Sequence, residues 1–108
     1  VATLLTSADG AEIYEACVAA VLGWDGERLV CVPRDRPRVW STAEAAVREH
    51  LPVSEASLLV ASAAPLLLVN ALKGTCTMDI PGRDAFPASV QQEVEYLFDS
   101  LTADGWEP

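Results

Sequence analysis

The run Cys17-Val18-Ala19-Ala20-Val21-Leu22-Gly23-Trp24 constrains the fold more than any other part of the chain. It is nearly all apolar, as a strand buried on both faces must be, and it carries no alternation that would let one face meet water. Asp25-Gly26 follows it, a hairpin-turn dipeptide in which both positions tolerate positive φ. Arg28 to Val32 then returns as the partner strand. Upstream, Ala2 to Thr6 is a short apolar stretch, Ser7-Ala8-Asp9-Gly10 a turn, and Ala11 to Glu15 extended again. The first third therefore reads as a meander of strands.

Pro33-Arg34-Asp35-Arg36-Pro37 cannot be a regular element, because each proline fixes φ and removes a donor. Ser41-Thr42-Ala43-Glu44 is a capping box, with Ser41 capping a helix and Glu44 reaching back. Ala43, Val47 and Leu51 share one face of that helix, and Pro52 stops it. Glu55 to Ser62 reads as a short helix, Leu66 to Asn70 as a strand, Lys73-Gly74 as a turn and Thr75 to Ile80 as another strand. Pro81-Gly82-Arg83-Asp84 makes a loop. Val90, Val94, Leu97, Phe98 and Leu101 form one apolar stripe on a last helix that Pro87 and Ser89 start and Gly105 follows. Strands, helix, strands, helix is the order of an α/β or α+β domain, here a single one over residues 1–108.

Charge and cysteine content narrow the partners. Sixteen acids against seven bases give a formal net charge of -9, so nucleic acid is not expected as a partner. No apolar run approaches the ~20 residues of a membrane helix, and no signal peptide is visible. Cys17, Cys31 and Cys76 are widely spaced and His50 is the only histidine, so no metal site is expected. Buried thiols in a cytoplasmic protein are the plain reading of the cysteines.

Spacing alone points to no reaction. No G-x-S-x-G elbow frames a serine, and His50 near a helix end offsets the helix dipole. The Asp9-Gly10 and Pro81-Gly82-Arg83-Asp84 turns lack the glycine spacing of a phosphate cradle. Glu93 and Glu95 lie on a solvated helix face.

The order of segments does carry a signal. Asp9-Gly10-Ala11-Glu12-Ile13-Tyr14-Glu15-Ala16-Cys17-Val18-Ala19-Ala20-Val21-Leu22 resembles a signature of class IV (fold-type IV) pyridoxal-phosphate enzymes. The hairpin at Asp25-Gly26 ending in Pro33, the helix start Ser41 to Val47, the strand ending in Asn70-Ala71-Leu72, the strand Thr75 to Ile80 and Gly82-Arg83 follow in the family's order. Within the class, Leu68-Val69-Asn70-Ala71-Leu72 and the set Glu15, Cys17, Ala19 look most like aminodeoxychorismate lyase. The resemblance runs from Val1 to about Leu101 and implies the C-terminal portion of a larger enzyme: a mixed sheet or half-barrel of about six strands flanked by helices.

The roles that follow are implied by that resemblance. Glu15 would face the pyridine nitrogen of pyridoxal 5'-phosphate and keep it protonated. The phosphate would rest on backbone N–H groups at Ser41, Thr42 and Ala43 and at Asn70 and Ala71. No catalytic residue is expected in this chain: the family's lysine, which binds the cofactor covalently and shuttles a proton, falls upstream of the segment that Val1 begins, and Lys73 does not match it. Two further departures stand out. Ala20 replaces a usual Asn, and Glu44 lies near the register of a usual Arg, where a carboxylate would repel phosphate.

The expected activity of the parent is a lyase converting 4-amino-4-deoxychorismate to p-aminobenzoate and pyruvate, in folate synthesis. A class IV aminotransferase for branched-chain or D-amino acids is the nearest alternative. A non-enzymatic remnant of the fold lacking the lysine, or an unrelated α/β binding domain, are the others. The expected partners are a small-molecule substrate, the missing N-terminal half and a second subunit in a homodimer, with no membrane involved.

Overall fold

The computed structural model describes residues 4–17, 19–72, 74–77 and 80–107. The parts of the expected strands at residues 1–3, 18 and 78–79, and Lys73 of the expected turn, lie outside them. Among the described residues eight strands and two helices follow in order: β1 Leu4–Thr6, β2 Glu12–Ala16, β3 Ala20–Trp24, β4 Leu29–Cys31, α1 Thr42–His50, β5 Val53–Glu55, β6 Leu58–Leu59, β7 Leu66–Asn70, β8 Gly74–Thr77 and α2 Ala88–Ala103. No helix among the described residues is long and apolar enough to cross a membrane.

The strands form two sheets, one of five strands in the order β5-β4-β3-β7-β8 and one of three in the order β1-β2-β6. All pairs are antiparallel except β4 with β5, which α1 joins as a crossover. Alternation along the two central strands explains the layers. Ala20 and Leu22 of β3 and Leu67 and Val69 of β7 pack with Ala43, Ala46 and Val47 of α1 and Val94 and Phe98 of α2. Val21, Leu66 and Leu68 point the other way, onto Ile13 and Ala16 of β2 and Leu58 of β6. The five-stranded sheet is thus sandwiched between a helical layer and a small second sheet, and this is why its central strands are apolar throughout.

Four expectations need correction. The apolar run does not become strand at Cys17: Ala16 and Ala19 exchange both backbone hydrogen bonds, Cys17 is an exposed turn residue, and β3 begins only at Ala20. That corner carries the chain from the small sheet into the large one. The hairpin after β3 has positive φ at Gly26 alone; Asp25 keeps negative φ and instead accepts the N–H groups of Glu27 and Arg28 through Oδ1 at 2.8 and 2.7 Å.

Glu55 to Ser62 contains no helix. Val53–Glu55 pairs with β4 and Leu58 with Ile13, so two neighbouring strands supply the backbone partners that a local helix would have supplied itself. Only half of the capping box forms: Ser41 Oγ accepts the Glu44 N–H at 3.2 Å, but the Glu44 carboxylate turns away to two arginines. The expected mixed α/β architecture is present, its strands arranged as two packed sheets and both helices lying on one face of the larger. The last helix and the strand Leu66–Asn70 fall where the sequence places them.

Candidate functional site

β2 ends, β3 begins, β7 ends and α1 begins at the same end of the sandwich, and a cavity of about 410 Å³ opens there. This volume is within the range of small-molecule sites. Five of the six residues singled out from the sequence line it: Glu15, Ser41, Thr42, Asn70 and Ala71. They come from elements spread over more than half the chain, and the antiparallel register that sets Ala20 opposite Val69 brings them together. The sixth, Ala43, is fully buried in the core with α1 and does not line the cavity.

Among the described residues Glu15 is the only acidic side chain in the wall. It is half-buried near the end of β2, and its Oε2 accepts the backbone N–H of Val39 at 3.1 Å. Among the described residues its Oε1 has no hydrogen-bond partner, so one oxygen is held and the other is not. The opposite requirement, for donors, is met by α1. Its cap Ser41 is extended (φ −94°, ψ 131°), its side chain serves the Glu44 N–H, and its carbonyl accepts from Ala45 at 3.0 Å. The N–H groups of Thr42 and Ala43, at the first two helical positions, have no acceptor among the described residues, and the positive end of the helix dipole adds to them. Asn70 closes the third side: its Oδ1 accepts the Leu72 N–H at 2.8 Å, an Asx-type turn that leads to Gly74 at φ +82°.

The expected repulsion between Glu44 and a phosphate does not arise. Glu44 is fully buried beneath the helix start. Arg38 grips both its oxygens, Nη1 to Oε1 at 2.8 Å and Nη2 to Oε2 at 2.7 Å, and Arg48 Nε binds Oε2 at 2.9 Å. Two guanidinium groups thus neutralise the carboxylate. Both also donate to the Val32 carbonyl, at 3.1 and 2.8 Å, and Arg48 reaches Glu55 at 2.7 Å, holding that carboxyl below its ordinary value.

Cys17 and Leu72, which carry part of the resemblance but were not expected as site residues, also line the cavity, as do Val39 and Trp40, which the sequence did not single out. Trp40 is ringed by Arg34, Arg38 and Arg48, whose guanidinium carbons lie 4.7, 5.5 and 5.4 Å from its ring centroid. One sequence signal could have drawn notice to this segment: three of the chain's seven bases stand at alternate positions just before a tryptophan, in a strongly acidic protein. Among the described residues no cluster of His, Cys, Asp and Glu is placed to hold a metal ion.

No family profile matches the chain, and no curated protein matches it significantly. Solved structures do. A hypothetical aminotransferase from Mycobacterium tuberculosis superposes with a TM-score of 0.74 at 19% identity in its apo form, and with 0.74 at 18% in its PLP-bound form, each over 97% of this chain and 40% of theirs. A protein of Thermotoga maritima assigned as a branched-chain amino acid aminotransferase superposes with a TM-score of 0.80 at 16% identity, over 96% of this chain and 42% of its own. The chain therefore shares the mixed α/β fold of one part of these aminotransferase structures, and spans about two fifths of their length.

Proposed function

We propose that this chain is the C-terminal, cofactor-holding portion of a pyridoxal-phosphate-dependent enzyme. The observation that carries the reading is the sharing of one cavity wall by Glu15, whose Oε1 has no hydrogen-bond partner among the described residues, and the helix start at Ser41 and Thr42. A pyridine nitrogen and a phosphate need those two kinds of partner. The turn at Asn70-Ala71 adds backbone to the phosphate side.

When bound, the cofactor withdraws electrons from the substrate carbon that loses a proton. Glu15 would hold the proton on the ring nitrogen. A carboxylate within about 4–6 Å favours the charged ring by about 1–3 pK units, or roughly 1.4–4 kcal/mol. Thr42 and Ala43 would fix the phosphate, and so the register of the ring over the site. Ala20 in the cavity wall carries no side-chain amide and would offer the cofactor no hydrogen bond from that side chain. The lysine of the reaction would come from the remainder of the protein, and a homodimer is the assembly we propose.

Two reactions remain in the proposal. The names of the similar structures favour amino transfer. The run Leu68-Val69-Asn70-Ala71-Leu72 favours the lyase reaction on 4-amino-4-deoxychorismate, and it sits at the cavity. Pyruvate release from that substrate, measured beside amino transfer to 2-oxoglutarate, separates them. For the cofactor itself, borohydride reduction of the full-length protein loaded with pyridoxal phosphate is expected to leave an adduct on a lysine outside residues 1–108. No adduct, or an adduct on Lys73, would overturn the proposal.

A further inference from the structure

We infer that Arg38 and Glu44 are positioning residues for the Glu15 carboxylate, acting through the backbone N–H of Val39. The inference rests on the role proposed above for Glu15 and adds what aims it.

Val39 is 75% exposed, so its own side chain does nothing to hold the peptide that donates to Glu15. Its neighbours do. Arg38 has only 2% of its side chain exposed and is fixed by a two-pronged contact to a carboxylate that is itself fully buried. A guanidinium fork fixes direction as well as distance, because both N–H vectors must be satisfied at once. Trp40, on the other side, is ringed by three guanidinium groups. The Val39 peptide is therefore suspended between two anchored residues.

The anchor also closes the base of the loop. Arg38 and Arg48 both donate to Val32, the residue after β4, and both bind Glu44 in the first turn of α1. The loop from Pro33 to Trp40 is thereby tied at the base to the helix whose start borders the cavity. Glu44 thus sets the relation between the site's acceptor, Glu15, and its donors at the start of α1. Arg36 provides a contrast on the same loop. It pairs with Glu12 at 2.6 Å, is 30% exposed, and makes no contact with the Glu44 cluster among the described residues.

The test uses the full-length protein loaded with pyridoxal phosphate carrying nitrogen-15 in the ring, whose resonance reports protonation of that nitrogen. Glu15→Gln is expected to move the resonance toward the unprotonated position. Arg38→Lys, which keeps the charge but loses the fork, is expected to move it part of the way in the same direction, with circular dichroism confirming the fold. Arg36→Lys is expected to leave it unmoved. If Arg38→Lys does not fold, Glu44→Asp, which shortens the same contact, is expected to give the same partial shift. A shift on Glu15→Gln with none on the folded Arg38→Lys or Glu44→Asp protein would overturn the inference and leave the role of Glu15 standing. An equal shift on Arg36→Lys would overturn it as well, since any loosening of the loop would then suffice. No shift on Glu15→Gln would overturn the role of Glu15, and with it the inference.

Discussion

Gly23 in β3 lies directly beneath Leu58 in β6: a methyl group on the glycine would stand 2.7 Å from Cδ2 of the leucine. The contact spans the two sheets, and Leu58 is buried there among Ile13, Val21 and Leu66. Gly23→Ala must therefore push Leu58 aside, at a cost of about 1–3 kcal/mol. Leu58→Ala leaves a cavity and is expected to cost about 2–5 kcal/mol. Combined, the two should cost less than their sum, because each relieves the other's defect. Urea unfolding of the four proteins of this cycle measures the difference, and strict additivity would show that the two residues do not press on each other.

Removal of the buried carboxylate at position 44 should be far more damaging than removal of an exposed one. Glu44→Ala leaves Arg38, with only 2% of its side chain exposed, without its counter-charge. Breaking a buried pair in this way costs about 3–5 kcal/mol. Glu27→Ala, on the exposed hairpin, should change stability by no more than about 0.5 kcal/mol. Thermal melts compare them directly, and equal effects would mean that the Arg38–Glu44–Arg48 cluster is not the tie described.

Ser41 has two tasks that substitution can separate. Ser41→Ala removes the acceptor for the Glu44 N–H and should cost about 0.5–2 kcal/mol, whereas Ser41→Gly should cost only a few tenths of a kcal/mol. In the full-length protein, cofactor affinity should fall in parallel with that loss, since an unwound first turn no longer aims the amides of Thr42 and Ala43. Equilibrium dialysis with pyridoxal phosphate gives the affinity, and calorimetry gives the stability.

Stability should fall at both ends of the pH scale, for different reasons. The hydrogen bond from Arg36 holds the Glu12 carboxyl below the ordinary value of 4.5, and that from Arg48 does the same for Glu55. The unfolded chain then binds protons that the native one refuses, so the contribution of these pairs is whole above about pH 4.5 and fades as pH drops through the lowered native values. Glu12→Gln should flatten this acid limb.

At the alkaline end, burial raises the Cys31 thiol from 9.0 to about 11. The native protein keeps a proton that the unfolded chain loses, so stability should decline between those values. The same burial protects the thiol. Iodoacetamide should modify exposed Cys17 and Cys76 in the native chain and reach Cys31 only on unfolding, as mass spectrometry would show.

What could be read from the sequence was whatever depends on neighbours in the chain. The stripe from Val90 to Leu101 declares a helix because its period is internal, and Ser41 declares a cap because its partner is three residues away. The strand Leu66–Asn70 was legible because all its residues but the last are apolar, although its partner β3 is more than forty residues away. The segment from Val53 to Leu59 was not, since its hydrogen bonds go to β4 and β2, more than twenty residues away. Of the site, Glu15, Ser41, Thr42, Asn70 and Ala71 were found through the order of segments, and the fold brings them to one cavity. The reach of Arg38 and Arg48 to Glu44 was not legible: charge spacing on a helix suggests the Glu44–Arg48 pair, but nothing local says that the carboxylate will be buried or that a loop arginine will share it.

The strands give the molecule two unlike ends. Ala20 stands at the cavity and Trp24, four residues along the same strand, leads into the exposed turn from Asp25 to Arg28. At about 3.3 Å per residue, some 13 Å of hydrogen-bonded sheet separates the two. That turn is bonded mainly to itself, through the Asp25 carboxylate and the Arg28 carbonyl. A fluorophore, an affinity handle or a few inserted residues at Gly26 would ride on the far end of the sheet as on the butt of a tool. The chain can thus be gripped, labelled or lengthened there without disturbing the end where Glu15 and the first turn of α1 face one another.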